Sequence, residues 1–418
     1  MTDHIPPGFK LLQATLILRH GDRAPTSNIF SSPPSGVQNG MRAEAKARAE
    51  TAYWFSQLPS PLTLQSLSSM FPIKFNASNP LAGEKKLEAS AASAPFGLLT
   101  RQGLVGSYQI GERLRRIYVV ENGLLPLDST CSGDVVVTRS TAMKRTVQSA
   151  QSVLHGFCKP QGAKDKGSAS IFVEAEDDME MPNFGFMSKK CPALVKQWQA
   201  SMQSAHGRAV ELETTPLINS LESYYPMLKS TRMSHTSKML KLFDHFKCHQ
   251  AHELPTAPGT GPETMSTLKS WARDTFWRLY AAQHATQTTL LCTRILETME
   301  RRLENLQDST VPRMCVFSGH DTTIMPMMAT LMVVVPTPQE EWPPYSAHIR
   351  IELLEKELNH TPYVRVVYRD HAVLRSMEEF RALILSQRKD LKVECVVIEE
   401  TEKKKSGGGG LNPFQDNR

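Results

Sequence analysis

The chain has 418 residues, 40% of them hydrophobic and 22% charged, which excludes a peptide-sized or disulfide-stapled fold and suits one large domain, or a core carrying an inserted second one. Its 48 Lys and Arg against 42 Asp and Glu leave a net +6 spread along the chain, so nothing marks a nucleic-acid partner. No apolar run approaches about 18 residues, so no stable membrane insertion is expected. The polar start from Met1 to Lys10 has no leader pattern. As written, the chain is expected in the cytoplasm, or secreted or lysosomal if a native leader is missing. Seven cysteines (Cys131, Cys158, Cys191, Cys248, Cys292, Cys315 and Cys395) are odd in number and dispersed, which fits reduced thiols better than a disulfide set.

In chain order, residues 14–18 form a short apolar run that predicts a buried strand. Residues 26–98, rich in Pro, Ser and Ala with a helical patch at 41–55, read as an insertion after it. An amphipathic helix is predicted over 101–118, with Leu104, Tyr108 and Leu114 as its stripe. A second strand spans 135–138. Ser140 or Thr141 then caps a helix with Met143, Val147, Ala150 and Leu154 on one face, which puts Arg139 at its mouth. Residues 159–308 are mostly helical and broken at Pro192, Pro216, Pro255 and Pro258, which reads as a cap. A third buried strand spans 314–317, and residues 348–354 and 363–369 alternate as an antiparallel pair. The tail 401–418, with Lys403 to Lys405 and Gly407 to Gly410, is expected to be disordered.

The predicted architecture is therefore α/β, doubly wound. Residues 8–158 and 309–400 form the core, with 26–98 inserted, and 159–308 form the helical cap. Each buried strand ends in reactive residues: Arg19-His20-Gly21-Asp22-Arg23, Arg139-Ser140 and Ser318-Gly319-His320-Asp321. Ligands of such sheets bind beyond the carboxyl ends of parallel strands, so the three ends should converge on one ligand. Two guanidiniums and an imidazole in five residues call for a dianion, because burying that charge alone is costly. His20 between two arginines would be held neutral, with one ring nitrogen free as a nucleophile.

The run Arg19-His20-Gly21-Asp22-Arg23-Ala24-Pro25 resembles the RHGxRxP signature of the histidine acid phosphatases. Ser318-Gly319-His320-Asp321-Thr322-Thr323 is similar to the family's His-Asp element. Arg139-Ser140-Thr141 with Arg145-Thr146 is similar to its middle element, and all three stand in family order. Weaker similarity reaches from about 15 to 370, including Trp342-Pro343-Pro344-Tyr345, and points to the prostatic and lysosomal branch. Members of that branch usually carry a signal peptide and paired cysteines.

The resemblance implies a phosphoglycerate mutase-like core and a covalent phosphohistidine on His20. It implies phosphate binding by Arg19, Arg23, Arg139 and His320, and Asp321 as proton donor. No cofactor and no catalytic metal are implied. The partner would be a small phosphomonoester such as lysophosphatidic acid, and the resemblance is compatible with a homodimer. The alternatives are an inositol polyphosphate phosphatase or a non-catalytic phosphate-binding protein, which would require a broken motif. On the family pattern Asp22 reads as a solvated loop carboxylate and Arg145 as an orienting residue. His245, Cys248, His249 and His252 invite a metal reading, but His249 to Glu253 matches neither the HExxH nor the HxxEH zinc pattern.

Overall fold

The computed structural model describes residues 4–31, 41–75, 80–127, 131, 135–158, 169–174, 192–272, 274–276, 282–331 and 342–394. The expected disordered tail lies outside them. Strand β1 (Phe9–Arg19) runs through the middle of the protein, and its last nine residues are buried. Alternation sends Ala14, Leu16 and Leu18 to one face and Ile17 to the other, and an irregularity in the pairing between Leu11 and Gln13 puts Leu12 on the face of Ile17. Full burial of a Leu or Ile is worth about 1.5–3 kcal/mol, so two-sided packing holds this strand firmly.

The chain continues through α1 (Met41–Gln57), α2 (Pro61–Met70), β2 (Ile73–Phe75), α3 (Pro80–Ala89) and α4 (Arg101–Leu114) to β3 (Val136–Thr141), α5 (Lys144–Cys158) and β4 (Ile171–Glu174). Four cap helices follow: α6 (Pro192–Met202), α7 (Ala205–Leu221), α8 (His235–Ala251) and α9 (Pro262–Ala272). The core resumes with α10 (Ala282–Glu304), β5 (Met314–Gly319), α11 (Asp321–Leu331), β6 (His348–Lys356), β7 (Pro362–Tyr368), β8 (His371–Ser376) and α12 (Met377–Glu394). The sheet order is β2-β4-β3-β5-β1-β6-β7-β8. It is parallel from β2 to β1 and antiparallel from β1 to β8. Apolar clusters on both faces, one including α5 residues and the other α10, α11 and α12 residues, make it the doubly wound α/β sheet expected.

Three boundaries differ from the expectation. Residues 26–98 contribute β2 to the sheet edge, because Ile73–Phe75 pairs with β4. The stretch 159–308 includes β4, within the sheet, and α10, whose Leu291, Cys292, Ile295 and Met299 pack into the core. The separate cap cluster draws on α6 to α9, with Trp198, Ile218, Leu242 and Trp271 among its members. Strand β3 continues to Thr141 because it is paired on both sides, Arg139 with Phe172 and with Phe317. Cys131 and Cys158 form a disulfide with Cα atoms 5.6 Å apart, correcting the expectation of reduced thiols. An odd cysteine count leaves room for such a pair. Cys248, Cys292 and Cys315 are buried thiols.

Candidate active site

The parallel register of β1 and β5 pairs Arg19 with Gly319, so the next residues, His20 and His320, leave the sheet side by side. Their rings lie 5.6 Å apart at a T-shaped angle. On the other flank of β5, Ser140 pairs with Ser318, which brings Thr141 level with Gly319. Its Oγ1 meets His320 Nε2 at 3.0 Å. Gly21 and Gly103 let the loop after β1 lie against the start of α4: a Cβ on Gly21 would strike the Gly103 carbonyl, and one on Gly103 would strike the Asp22 carbonyl. Thr100 caps α4 by accepting from Gly103 N–H, and Gly21 N–H donates to Ser149 on α5 at 2.9 Å.

His20 is 2% exposed. Its Nδ1–H donates to the Gly21 carbonyl at 2.8 Å, leaving Nε2 with its lone pair. Burial first, then Arg145, Arg19 and Arg23, hold its pKa well below the ordinary 6.5. His320 is pushed down in the same way, by burial and then Arg145. A neutral imidazole in the field of three guanidiniums has a lone pair that can attack an anion drawn there.

Arg19 stacks on Tyr345 at 4.4 Å and pairs with Asp321 at 2.8 Å. Arg23 pairs with Asp244 of α8 at 2.6 Å, and Asp244 also accepts from Thr26 N–H and Oγ1. Arg145 lies in the first turn of α5 and is anchored through its neighbour: Thr146 Oγ1 donates to the Thr141 carbonyl, and Ser318 Oγ donates to the Thr146 carbonyl. Burial and then Arg23 bring the Arg145 guanidinium down to about 9, still charged in acid and at neutrality. The Nε atoms of Arg19, Arg23 and Arg145 are all buried without a hydrogen-bond partner, which suits a ligand rich in acceptors.

Asp321 starts α11. Burial raises its pKa, but Arg19, Lys247, His320 and the Trp342 N–H, which donates at 3.0 Å, together hold it well below the carboxylate range. Lys247 of α8 donates to the Pro343 carbonyl at 3.3 Å and lies 5.4 to 5.6 Å from the rings of Trp342, Tyr345 and Phe243. Burial, then Arg19, push its ammonium well below its usual value.

Five of the expected residues, Arg19, His20, Arg23, His320 and Asp321, come together. Arg139 does not join them. It sits inside β3 in register with Phe317, two residues short of the strand end, and acts on the Cys315 thiol rather than ranking among the main charges on His20, His320 or Asp321. The third guanidinium whose charge weighs on both histidines belongs to Arg145. The motif contained both arginines, and the extra length of β3 decides between them. Asp22 is not a solvated carboxylate either: it is 4% exposed, accepts from Thr100 Oγ1, and meets His252 Nε2 at 2.7 Å. Asp244 and Lys247 were missed because a helical Asp and Lys carry no local signal of a pocket formed by distant segments.

A doubly wound sheet with an arginine-lined histidine pair beyond its parallel strand ends defines a phosphate-handling class of enzyme. The sequence pattern of the histidine phosphatase superfamily (branch 2) matches residues 10–369, and the chain belongs to that family. It is a phosphomonoester hydrolase of the acid phosphatase kind. Lysophosphatidic acid phosphatase type 6 of Bos taurus is 24% identical over 86% of this chain and 78% of its own length. Lysosomal acid phosphatase of Bos taurus is 25% identical over 63% of this chain and 60% of its own length. The phytase of Citrobacter braakii shares the fold, with a TM-score of 0.56 at 17% identity, over 91% of this chain and 98% of that one. Among the described residues no helix is long and apolar enough to cross a membrane.

Proposed function

We propose that this chain hydrolyses phosphomonoesters through phospho-His20, with Arg19, Arg23, Arg145 and His320 holding the phosphoryl group and Asp321 moving the proton. The observation that carries this reading is the neutral, partner-free Nε2 of His20 set among three guanidiniums with unpaired Nε–H donors. Nε2 attacks phosphorus in line. As the P–N bond forms, the ester P–O bond breaks, and the departing oxygen takes a proton from Asp321. Water then attacks, gives its proton to Asp321, and releases phosphate as the P–N bond breaks. The guanidiniums stabilise charge on the equatorial oxygens throughout.

In the free protein Asp321 is ionised against Arg19. A bound dianion draws Arg19 away and adds its own negative charge, and both effects raise the carboxyl pKa towards the value a proton donor needs. Binding of substrate in acid thus arms the acid.

Beside Asp321 the leaving group would meet Trp342, Phe243, Tyr345 and the half-buried Lys247. An aromatic wall with one cation favours an ester carrying an apolar part, such as a lysophosphatidic acid, over an inositol polyphosphate, whose several phosphates need a broad basic surface. The Cys131–Cys158 disulfide favours an oxidising compartment, secreted or lysosomal, over the cytoplasm.

One experiment tests both the proton donor and the substrate class. Wild type and Asp321→Asn are compared in single turnovers on lysophosphatidic acid, glycerol phosphate, inositol hexakisphosphate and p-nitrophenyl phosphate. Asp321→Asn should slow the alkyl esters by about 10²-fold or more and p-nitrophenyl phosphate far less, since p-nitrophenolate leaves without help. Wild type should prefer lysophosphatidic acid. Equal losses on every leaving group would remove Asp321 as the donor, and a preference for inositol hexakisphosphate would overturn the substrate assignment.

A further inference from the structure

Helix α8 has a second working edge, turned away from the phosphate pocket. Asp244 and Lys247 serve the pocket, while His245 and His249, one turn apart, face α1 with ring centroids 3.8 Å apart. There they meet Glu50, which α1 buries to 9% exposure. One ligand atom from each of Glu50, His245 and His249 lies within 4.8 Å of the other two, and all three residues are buried.

With both imidazoles neutral, the hydrogens around this trio do not close on protein atoms alone. His249 Nδ1 lies 2.9 Å from the Pro255 carbonyl, an acceptor only, so Nδ1 carries the proton. In a neutral ring Nε2 is then a lone pair, and it points at Glu50 Oε1 from 2.9 Å. Glu50 Oε1 already accepts from Trp54 Nε1–H at 2.7 Å. His245 is 1% exposed, neither of its ring nitrogens has a hydrogen-bond partner, and its Nδ1 is 3.8 Å from the same carboxylate oxygen. Electron pairs thus converge on one buried point, which calls for a cation.

We propose that Glu50, His245 and His249 bind a divalent transition metal of the zinc class, which clamps α1 to α8. Two imidazoles and one carboxylate form a zinc-type donor set. With metal–ligand bonds of about 2.1 Å, a tetrahedral ion spaces its ligand atoms about 3.4 Å apart, and the 2.9 and 3.8 Å separations here bracket that value. The outer contacts fit as well. The ligating His249 donates its other N–H to a backbone carbonyl, and the ligating carboxylate is held by an indole N–H, the supports that orient metal ligands. Water would take the fourth position. The surroundings are apolar and aromatic: Phe30 and Tyr225 lie 5.6 and 5.1 Å from the His245 ring. The ion would touch no reacting atom. By fixing α8 it would set the height at which Asp244 meets Arg23 and Lys247 approaches Asp321.

The test uses the full-length protein. It is stripped with a chelator, reloaded with Zn2+ and desalted, then assayed by elemental mass spectrometry and thermal unfolding. The expected result is one tightly held Zn2+ per chain and a rise of several degrees in Tm on reloading, reversed by the chelator. Glu50→Gln keeps the side-chain shape and an acceptor for Trp54, and should lose both the metal and the Tm response while remaining folded by circular dichroism. His249→Ala should lose the metal too. If wild type retains no stoichiometric metal and its Tm ignores both chelator and Zn2+, the site holds a protonated His249 against Glu50 instead, and the proposal fails. It also fails if Glu50→Gln binds zinc as wild type does, since the ion would then lie elsewhere.

Discussion

On the proposed mechanism one buried positive field does two jobs at His20: it keeps the imidazole neutral, hence nucleophilic, and it attracts the anion to be attacked. Neither job tolerates the loss of a guanidinium that faces the ring. Arg145→Ala should therefore lower kcat/KM by about 10²-fold or more, because one strong phosphate donor leaves a dry site. Arg139→Ala should keep kcat/KM within a few-fold of wild type, because its guanidinium departs from the middle of β3. Steady-state kinetics on both purified variants decides the matter, and the reverse ranking would return the phosphate role to Arg139.

Among the elements, α8 links the cap to the core. Asp244 reaches back to Arg23 and Thr26, and His252, just past the helix end, reaches Asp22. Removing one partner of a buried ion pair leaves the other charge uncompensated, at a cost of about 3–5 kcal/mol. Asp244→Ala should lower Tm accordingly. Inorganic phosphate should restore more of the Tm in Asp244→Ala than it adds to wild type, because a bound anion gives Arg23 a new partner. Equal phosphate effects in the two proteins would mean that Arg23 does not face the anion. The strand ends of β1 and β5, with the residues they present, were legible in the sequence, since short apolar runs stopping at Arg19 and Ser318 mark both the strand and its reactive end. The end of β3 was not: Arg139 to Thr141 are polar enough to read as a loop, and only pairing with two neighbours keeps them in the sheet. The α8 contributions were equally hidden, because Asp244 and Lys247 acquire their meaning from β1 and from residues 342–345, which are distant in sequence.

For the whole molecule, the buried groups set a direction for stability against pH. His20 and His320 have folded pKa values well below 6.5, so below that pH the unfolded chain takes up protons that the folded chain refuses, and stability falls as pH falls. Asp244 and Asp321 are shifted below the ordinary 3.8, so the stability they contribute is present above that value and is lost below it. Both trends run the same way. Tm should decline steadily from pH 7 towards pH 4 and more steeply beyond, and a flat profile between pH 7 and pH 5 would show that the histidines are not buried neutral. Phosphate at about a hundred times its Kd should add about 2.7 kcal/mol of stability by mass action.

The covalent intermediate is the claim on which the rest depends, and trapping it is the direct measurement. Substrate and protein are mixed for a single turnover, quenched in alkali, which preserves a phosphoramidate, and digested for mass spectrometry. A phosphate on His20, absent from His20→Ala and gone after a full turnover, is the result predicted by the lone Nε2 facing three guanidiniums. Turnover by wild type with no phosphorylated peptide, or with the phosphate on any other residue, would contradict it.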